Sequence, residues 1–433
     1  MRARWISVAA RDAGVATPRR RTCRDPQTLP ARNPTRNRDP PGTEPFGLWG
    51  RAFRPFFLGL AIYGALAVPW WALTWLGTLP APAWLVPMWW HGHEMLFGFV
   101  AAAIAGFLLT ASAVWTGGPA LSGAPLAAVF GLWVAGRIAF AAAGILPAWL
   151  VAAVDGAFLP AVALAAVRTL WGSRQIRNYA VVGLVVALAV ANAGMHAEAL
   201  GLVVGVAGRA LRLGVDGVVV LLLVIGGRIT PAFTQAVLRR RGLDHNVHSW
   251  KWAGALAIGA TGALAVVTAV AGRSPATGLL AAIAGLAAAV RLAGWQTWQI
   301  RFDPLLWSLH AGAAWIVVGL LLVAASDLGA AIPAAAGLHA LTAGAIGATI
   351  LAVITRVGLG HTGRPLALPG GIVLAYGLVH AAAATRVAAP FVAAGNQRAL
   401  LLVSGVAWAL AFGIFAVRYW PILTTPRPDG RPG

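Results

Sequence analysis

The feature that most constrains this chain is a series of twelve apolar runs, each about 18 to 24 residues long. A helix of that length crosses the hydrocarbon layer of a bilayer, where only helices and closed barrels satisfy their backbone hydrogen bonds. Hydrophobic residues make up 59% of the 433 residues and charged residues only 10%, which excludes an ordinary soluble protein. The sequence therefore predicts an all-α polytopic membrane protein, a bundle of about twelve transmembrane helices.

The even number of spans places both ends of this bundle on one side of the membrane. The predicted spans are residues 56–76, 90–112, 124–145, 149–170, 179–203, 211–227, 251–271, 276–299, 304–325, 335–356, 367–388 and 398–420. On the side opposite the termini, the loops carry only Arg209, Arg212, Arg273 and Arg386, and most other basic residues of the bundle fall on the terminal side. Because cytoplasmic loops are enriched in basic residues, we expect both termini to be cytoplasmic.

The first 45 residues differ in composition from the rest of the chain. They are rich in Arg and Pro and lack apolar periodicity, which predicts a disordered cytoplasmic tail or a misassigned start codon. The membrane domain is expected to cover residues 46–420, with a short cytoplasmic tail at 421–433. The only cysteine, Cys23, lies in the first segment, so a metal site in the membrane domain must use His, carboxylate or Met ligands.

The net charge of +21 does not indicate a nucleic-acid partner. Most basic residues of the membrane domain lie in short loops between apolar spans, where membrane topology explains them. Lys251 is the only lysine, and the abundance of Arg and Ala is typical of a GC-rich genome. The expected partner is therefore the lipid bilayer.

Ionisable residues inside the predicted spans are the first candidates for function, because a charge at bilayer depth costs several kcal/mol. They fall into two layers. The layer away from the termini contains His91, His93, Glu94, Asp155, His196, Glu198, Asp216, His339 and His380. The layer near the termini contains His310 and His361 together with Arg228, Arg356 and Arg364.

The segment MWWHGHEM at residues 88–95 carries the strongest local signal for a site. In a regular helix, residues two apart point about 200° away from each other, so His91 and His93 face different partners unless the helix start is unwound. One can serve a haem and the other a copper ion, or one a metal and the other a hydrogen-bonded carboxylate such as Glu94. The competing interpretation is an interfacial helix start anchored by Trp89 and Trp90.

His196 and His339 each lie beside a stripe of small residues, which allows a flat macrocycle or a second helix to approach closely. His380, within an alanine run, is a weaker candidate of the same kind. Near the termini, Arg228, Arg356 and Arg364 flank glycine- and proline-containing segments that are expected to end the sixth and tenth helices and can hold anionic groups such as haem propionates. These arginines can equally be topology determinants, and His310 can be a ligand, a proton relay or a packing residue.

Five segments, in this order, resemble the NnrS family. They are residues 90–99 (WHGHEMLFGF), 104–110 (IAGFLLT), 226–234 (GGRITPAFT), 338–347 (LHALTAGAIG) and 360–364 (GHTGR). The resemblance extends over about residues 46 to 420. It implies a bacterial inner-membrane protein that contains haem and copper and takes part in the response to nitric oxide and nitrosative stress.

The resemblance also implies a set of site residues. His91, His93, His339 and His361 are carried over first, followed by His196 and His310, and the metal ligands are expected among His91, His93, His339 and Glu94. The residues expected to bind cofactor are His91, His93, His196, His310, His339, His361, Arg228, Arg356 and Arg364. Nitric oxide is the expected small-molecule ligand, and the resemblance supplies neither a reaction nor an electron donor.

Two other functions remain open at this point. A redox enzyme of the haem-copper oxidase type also uses about a dozen spans and His ligands, but the chain contains no adjacent His-His pair. A secondary transporter commonly has twelve spans, and Asp155, Glu198 and Asp216 can be proton or substrate groups. Broken helices paired between two halves would favour the transporter.

Overall fold

The computed structural model describes residues 47–171, 176–243 and 246–431, with side chains from residue 178 in the second range. The predicted disordered tail at 1–45, including Cys23, lies outside the described residues. Within them, twelve helices are long and apolar enough to cross a membrane, which confirms the predicted number of spans. In order, α1 to α12 are Phe53–Trp75, Pro87–Thr116, Gly123–Ala141, Ala148–Leu170, Asn178–Ala199, Ala207–Arg240, Lys251–Ala271, Pro275–Ala293, Pro304–Asp327, Ala334–His361, Ile372–Phe391 and Ala394–Thr424.

Local sequence explains where several helices begin. Pro87, Pro275 and Pro304 occupy the first turn of α2, α8 and α9, where a missing backbone N–H costs nothing. At α8 the Ser274 side chain accepts from the Thr277 backbone N–H and the Thr277 hydroxyl accepts from the Ser274 N–H, a reciprocal capping arrangement.

The predicted end of the sixth helix is wrong. The pattern of Gly226, Gly227 and Pro231 indicated a break near residue 227, but α6 continues through Pro231 to Arg240. A proline inside a helix removes one backbone hydrogen bond. Beyond it, Thr234, Val237 and Leu238 are buried against neighbouring elements, and this packing outweighs the local cost.

Helices α2 and α10 lie at the centre of the bundle. Of the most apolar 18-residue window, 83% is buried in α2 and 72% in α10, against 33–50% in the other helices. The outer helices expose large apolar side chains such as Leu66, Val270 and Val417 at positions that face lipid in a membrane. Functional side chains on α2 and α10 are therefore held inside protein on most sides.

The same two central helices share an unusual backbone. In α2, a short α-helical stretch ends at His93 and a π-helical segment, Glu94–Val100, follows. In α10, the first stretch ends at His339 and the π-helical segment is Ala340–Gly347. Each central helix therefore changes its winding directly after a histidine. Wide π-turns are rare and occur often at functional sites, which makes these two positions candidates for function.

Candidate functional site

A cluster of polar side chains is buried among the first five helices. We call it the Asp155 cluster; its members are Tyr63 of α1, His93 and Glu94 of α2, Arg137 of α3, Asp155 of α4, and Asn192 and His196 of α5. His93, Glu94, Asp155, Asn192 and His196 are each no more than 4% exposed, and Arg137 is 8% exposed. Five separate helices each contribute to one polar site inside an apolar bundle.

Asp155 is the centre of this cluster. Its Oδ2 lies 2.9 Å from His196 Nε2, 3.3 Å from His93 Nε2 and 2.8 Å from the Asn192 amide nitrogen, which donates to it. Its Oδ1 accepts a hydrogen bond from Arg137. Two imidazole nitrogens therefore converge on one carboxylate oxygen.

Glu94 holds the other side of His93. Its Oε1 lies 3.0 Å from His93 Nδ1 and 2.5 Å from Arg137 Nη1, and its second oxygen accepts from the Tyr63 hydroxyl. His93 Nε2 is also 2.7 Å from Asn192 Oδ1. A carboxylate that binds the far nitrogen of a histidine fixes the ring, which is the usual role of the outer partner of a metal ligand.

The charges of the Asp155 cluster do not balance without a further cation. Glu94 and Asp155 supply two negative charges, and Arg137 supplies one positive charge. An unbalanced charge in a low-dielectric interior is costly. A cation bound beside the two carboxylates would supply the missing charge.

The donor set of the cluster fits a metal ion. One ligand atom from each of His93, Asp155 and His196 lies within 4.8 Å of the others. Imidazole and carboxylate ligands suit copper, iron and zinc. The His196 nitrogen that faces Asp155 is Nε2, and its Nδ1 is buried without a hydrogen-bond partner among the described residues. Trp84 and Phe140 cover the His93 and His196 rings with aromatic surface.

A cavity of about 810 Å³ lies on the opposite side of α2 from this cluster. His91 and His339 both line it, and the His91 ring stacks on Trp71 with centroids 4.2 Å apart. Its size is in the range of sites for large organic ligands, and most of its wall is apolar. As the helix geometry predicts, His91 and His93 face different surroundings: His91 lines the cavity and His93 belongs to the cluster.

His339 is oriented as a ligand would be. Its Nδ1 lies 2.7 Å from the Ala335 carbonyl oxygen one turn earlier, so Nδ1–H donates and Nε2 keeps the lone pair. No hydrogen bond to Nε2 is found among the described residues, and the ring lines the cavity.

Arginines line the same cavity, and they differ in their partners. Arg212 pairs with Asp216 at 2.8 Å, and Arg273 pairs with Asp327 at 2.7 Å. Arg386 forms no ion pair with a described carboxylate, and its Nε is buried without a hydrogen-bond partner. Arg209, which also lines the cavity, has no carboxylate partner among the described residues either, and its Nη1 donates to the Val270 carbonyl oxygen at 3.3 Å. Arg386 is thus the cation of this wall that is both without a described carboxylate partner and has a buried N–H without an acceptor, which suits it to an anionic group of a ligand.

A comparison with known protein families shows the family of this chain. The sequence model described as NnrS protein matches residues 47–427, which include all twelve helices. The chain belongs to the NnrS family. A comparison with curated proteins gives no match.

Three other histidines that the sequence singled out, two of them also implied by the NnrS resemblance, lie outside the cluster and do not line the cavity. His310 is 1% exposed, and its two ring nitrogens lie 2.9 Å from the Thr234 and Thr297 hydroxyl oxygens, so its hydrogen-bonding capacity is satisfied. His361 is exposed at the end of α10, where its ring packs against Phe53. His380 accepts a hydrogen bond from Trp315 at 3.1 Å.

The three arginines predicted to bind propionates are not brought to the cavity of this NnrS protein. Arg356 lies about 25 Å along α10 from His339, and Arg228 lies at a similar distance along α6 from Arg212. Arg228 is exposed, Arg356 stacks over the Phe233 ring at 3.8 Å, and Arg364 donates to Thr425 Oγ1 at 2.8 Å. None of the three lines the cavity.

Sequence reasoning missed the residues that tie the Asp155 cluster together. Tyr63, Arg137 and Asn192 lie within predicted spans, but none of them belongs to a motif that marks a site. Arg137 carried the one available signal, because a charged residue inside an apolar run marks a functional or paired position.

Proposed function

We propose that this NnrS-family membrane protein holds haem and copper and acts in the response to nitric oxide, by binding or detoxifying it or by limiting the formation of dinitrosyl-iron species. The proposal rests on one observation: two histidines at the start of α2 face two different sites. His91 lines a large apolar cavity with His339, and His93 joins a buried carboxylate and a third histidine. The proposed location is the bacterial inner membrane.

The cavity is the site we assign to haem. His339 would hold it through Nε2, because Nδ1 is engaged by the Ala335 carbonyl, and His91 is the second histidine in the wall. Arg386, which lacks a carboxylate partner among the described residues, would take an anionic substituent. Bound haem would supply an iron centre whose reactivity depends on its histidine ligand and on the polarity of the pocket.

The Asp155 cluster is the site we assign to copper. His93, His196 and Asp155 would be its ligands, and Glu94, predicted as a ligand, would orient His93 from outside. Arg137 restrains both carboxylates at once, and Trp84 and Phe140 exclude water from the imidazole rings. Nitric oxide, a small neutral molecule, would reach both sites through the apolar interior of the bundle.

The proposal is tested on protein purified in detergent from cells supplied with haem and copper. Optical spectra of the oxidised and reduced protein, with and without nitric oxide, report the haem, and elemental analysis reports the copper. The variants are His339→Ala, His196→Ala and, as the control, His248→Ala, which changes an exposed loop histidine.

We expect His339→Ala to lose or shift the haem absorption and to keep copper. The His196→Ala protein should keep the haem spectrum and lose copper, and the control should match the wild type. A wild type that is folded, colourless and free of metal would overturn the proposal.

A secondary transporter is the second candidate, and one observation favours it. Helices α2 and α10 both leave regular winding at corresponding places, directly after His93 and His339, beside a large cavity. Irregular helices at the centre of a bundle often line transport sites. Metal-free, folded wild-type protein in the experiment above would shift the preference to this function.

A further inference from the structure

Arg291, near the end of α8, is a buried charge that neither proposed site uses. It is 7% exposed, and it forms no ion pair with a carboxylate among the described residues. An unpaired arginine inside a membrane bundle is costly and marks a functional position. Its positive charge therefore needs a partner other than a described carboxylate.

The surrounding backbone is shaped around the Arg291 guanidinium. Nη1 donates to the Leu223 carbonyl oxygen of α6 at 2.7 Å. A Cβ atom on Gly227 would lie 1.6 Å from Nη2 and 2.0 Å from Cζ, so only glycine leaves room for the guanidinium there. Gly227 belongs to the GGRITPAFT segment, whose conformation the haem and copper proposal does not explain.

A small cavity adjoins this guanidinium. It measures about 60 Å³ and is enclosed by α6, α8, α9, α10 and the turn after α8. We call it the Arg291 pocket; Gly227, Thr230, Arg291, Trp295 and Thr349 are among the residues that line it. None of them lines the haem cavity or belongs to the Asp155 cluster.

Two donors that line the Arg291 pocket have no described acceptor. Arg291 Nε and Trp295 Nε1 are both buried and have no hydrogen-bond partner among the described residues. The lining contributes no Asp or Glu side chain. The guanidinium also lies 5.6 Å from the centre of the Trp295 ring, which offers it only a weak cation–π contact. Two unsatisfied N–H groups and a positive charge without a carboxylate partner favour an occupant that accepts hydrogen bonds and carries negative charge.

The volume limits what the occupant can be. About 60 Å³ corresponds to about two water molecules, since one water occupies about 30 Å³ in the liquid. A lipid headgroup or a porphyrin carboxylate with its ring is too large. We propose that the Arg291 pocket binds one small monovalent inorganic anion, of the size of chloride or nitrite, within the membrane domain.

The test titrates sodium chloride or sodium nitrite into detergent-purified protein kept in sodium gluconate at constant ionic strength. Thermal unfolding is followed, because a ligand that binds only the folded state raises the midpoint in a saturable manner. The variants are Arg291→Gln, which removes the charge, and Gly227→Ala, which fills the space of the guanidinium. The matched controls are Arg228→Gln, an exposed arginine on α6, and Gly262→Ala on α7, where an added Cβ meets no atom within 4 Å and which does not line the pocket.

We expect a saturable rise of the wild-type midpoint with chloride or nitrite, and the anion of lower apparent Kd is the better occupant. Both test variants should weaken this Kd by about 10- to 100-fold, as expected for the loss of a charged hydrogen bond. Both controls should retain it. Each variant is first required to elute as a single species, so that a folding defect is recognised separately.

Two results would overturn the proposal. One is a wild-type midpoint that is the same in chloride, nitrite and gluconate, which would mean that the pocket holds only water. The other is an equal response of Arg291→Gln and wild type, which would place anion binding elsewhere. The experiment does not depend on haem or copper, so its outcome is independent of the proposed function.

Discussion

At the scale of single residues, Arg137 is the side chain on which the Asp155 cluster most depends. It bonds Glu94 through Nη1 and Asp155 through Nη2, and both carboxylates are 2% exposed. Removing one partner of a buried ion pair leaves an uncompensated charge and costs about 3–5 kcal/mol. We therefore expect Arg137→Gln to lower the thermal midpoint of the detergent-purified protein strongly, as measured by circular dichroism, whereas the exposed Arg239→Gln leaves it nearly unchanged.

A double variant separates this electrostatic cause from loss of packing. If Arg137→Gln destabilises the protein because it leaves a carboxylate unpaired, adding Glu94→Gln should lower the thermal midpoint much less than the same change does in the wild type, or should raise it. Arg137→Lys should recover little, because one ammonium group cannot reproduce a planar fork that spans two carboxylates. Additive effects of the two changes would show that Arg137 acts through packing.

The sequence predicts this site only in part, for a physical reason. The 100° rotation per residue of an α-helix correctly separates His91 from His93. The same rule cannot bring Arg137, Asp155 and Asn192 together, because they lie on three helices whose rotation about their axes is set by packing. Glu94 was expected to bind metal, but its oxygens are engaged by His93, Arg137 and Tyr63.

At the scale of helices, the π-helical segment of α2 shapes the cluster. Gly98 lies within it, and its carbonyl oxygen accepts a hydrogen bond from Trp133 Nε1 at 2.9 Å. A Cβ atom on Gly98 would lie 2.5 Å from Arg137 Nη1 and 3.1 Å from the Tyr63 ring. The bare backbone at this turn is what lets the guanidinium reach both carboxylates.

Gly98→Ala should therefore displace Arg137, reduce bound copper and lower the thermal midpoint. The matched change Gly259→Ala lies on α7, where an added Cβ meets no atom within 4 Å. That control should be neutral or stabilising by about 0.5–1 kcal/mol, because alanine favours a helix over glycine. Elemental analysis and thermal unfolding of both variants measure the difference, and copper retained in Gly98→Ala at wild-type level would contradict the role given to this turn.

Helix α6 shows why glycine and proline do not always mark a helix end in a membrane bundle. Two glycines and Pro231 predict a break, yet the helix continues to Arg240. Gly227 is present for a different reason, since it gives the Arg291 guanidinium the space that a side chain would occupy. Gly227 therefore marks a close approach between α6 and α8, and not the end of α6.

At the scale of the whole molecule, hydropathy predicts the number of spans but not their arrangement. A run of about 20 apolar residues is required wherever a helix crosses the bilayer, so each crossing is visible in the sequence. Which helices are central depends on contacts between distant parts of the chain. Small residues at the contacts, such as Gly319 against Leu341 and Gly347 against Trp408, become informative only once these partners are known.

The orientation of the whole bundle is a separate prediction, and it rests on the distribution of basic residues. If both termini are cytoplasmic, the loop between α9 and α10 faces outward and the loop between α10 and α11 faces the cytoplasm. Single cysteines at the exposed positions Ala330→Cys and Leu366→Cys, each in a Cys23→Ser background, report the two loops. A membrane-impermeant maleimide should label Ala330→Cys in cells whose outer membrane is permeable to the reagent, and should label Leu366→Cys only after the inner membrane is also permeabilised. The reverse pattern would turn the bundle over and place the His91–His339 cavity on the cytoplasmic side, because the α9–α10 loop leads directly into the helix that carries His339.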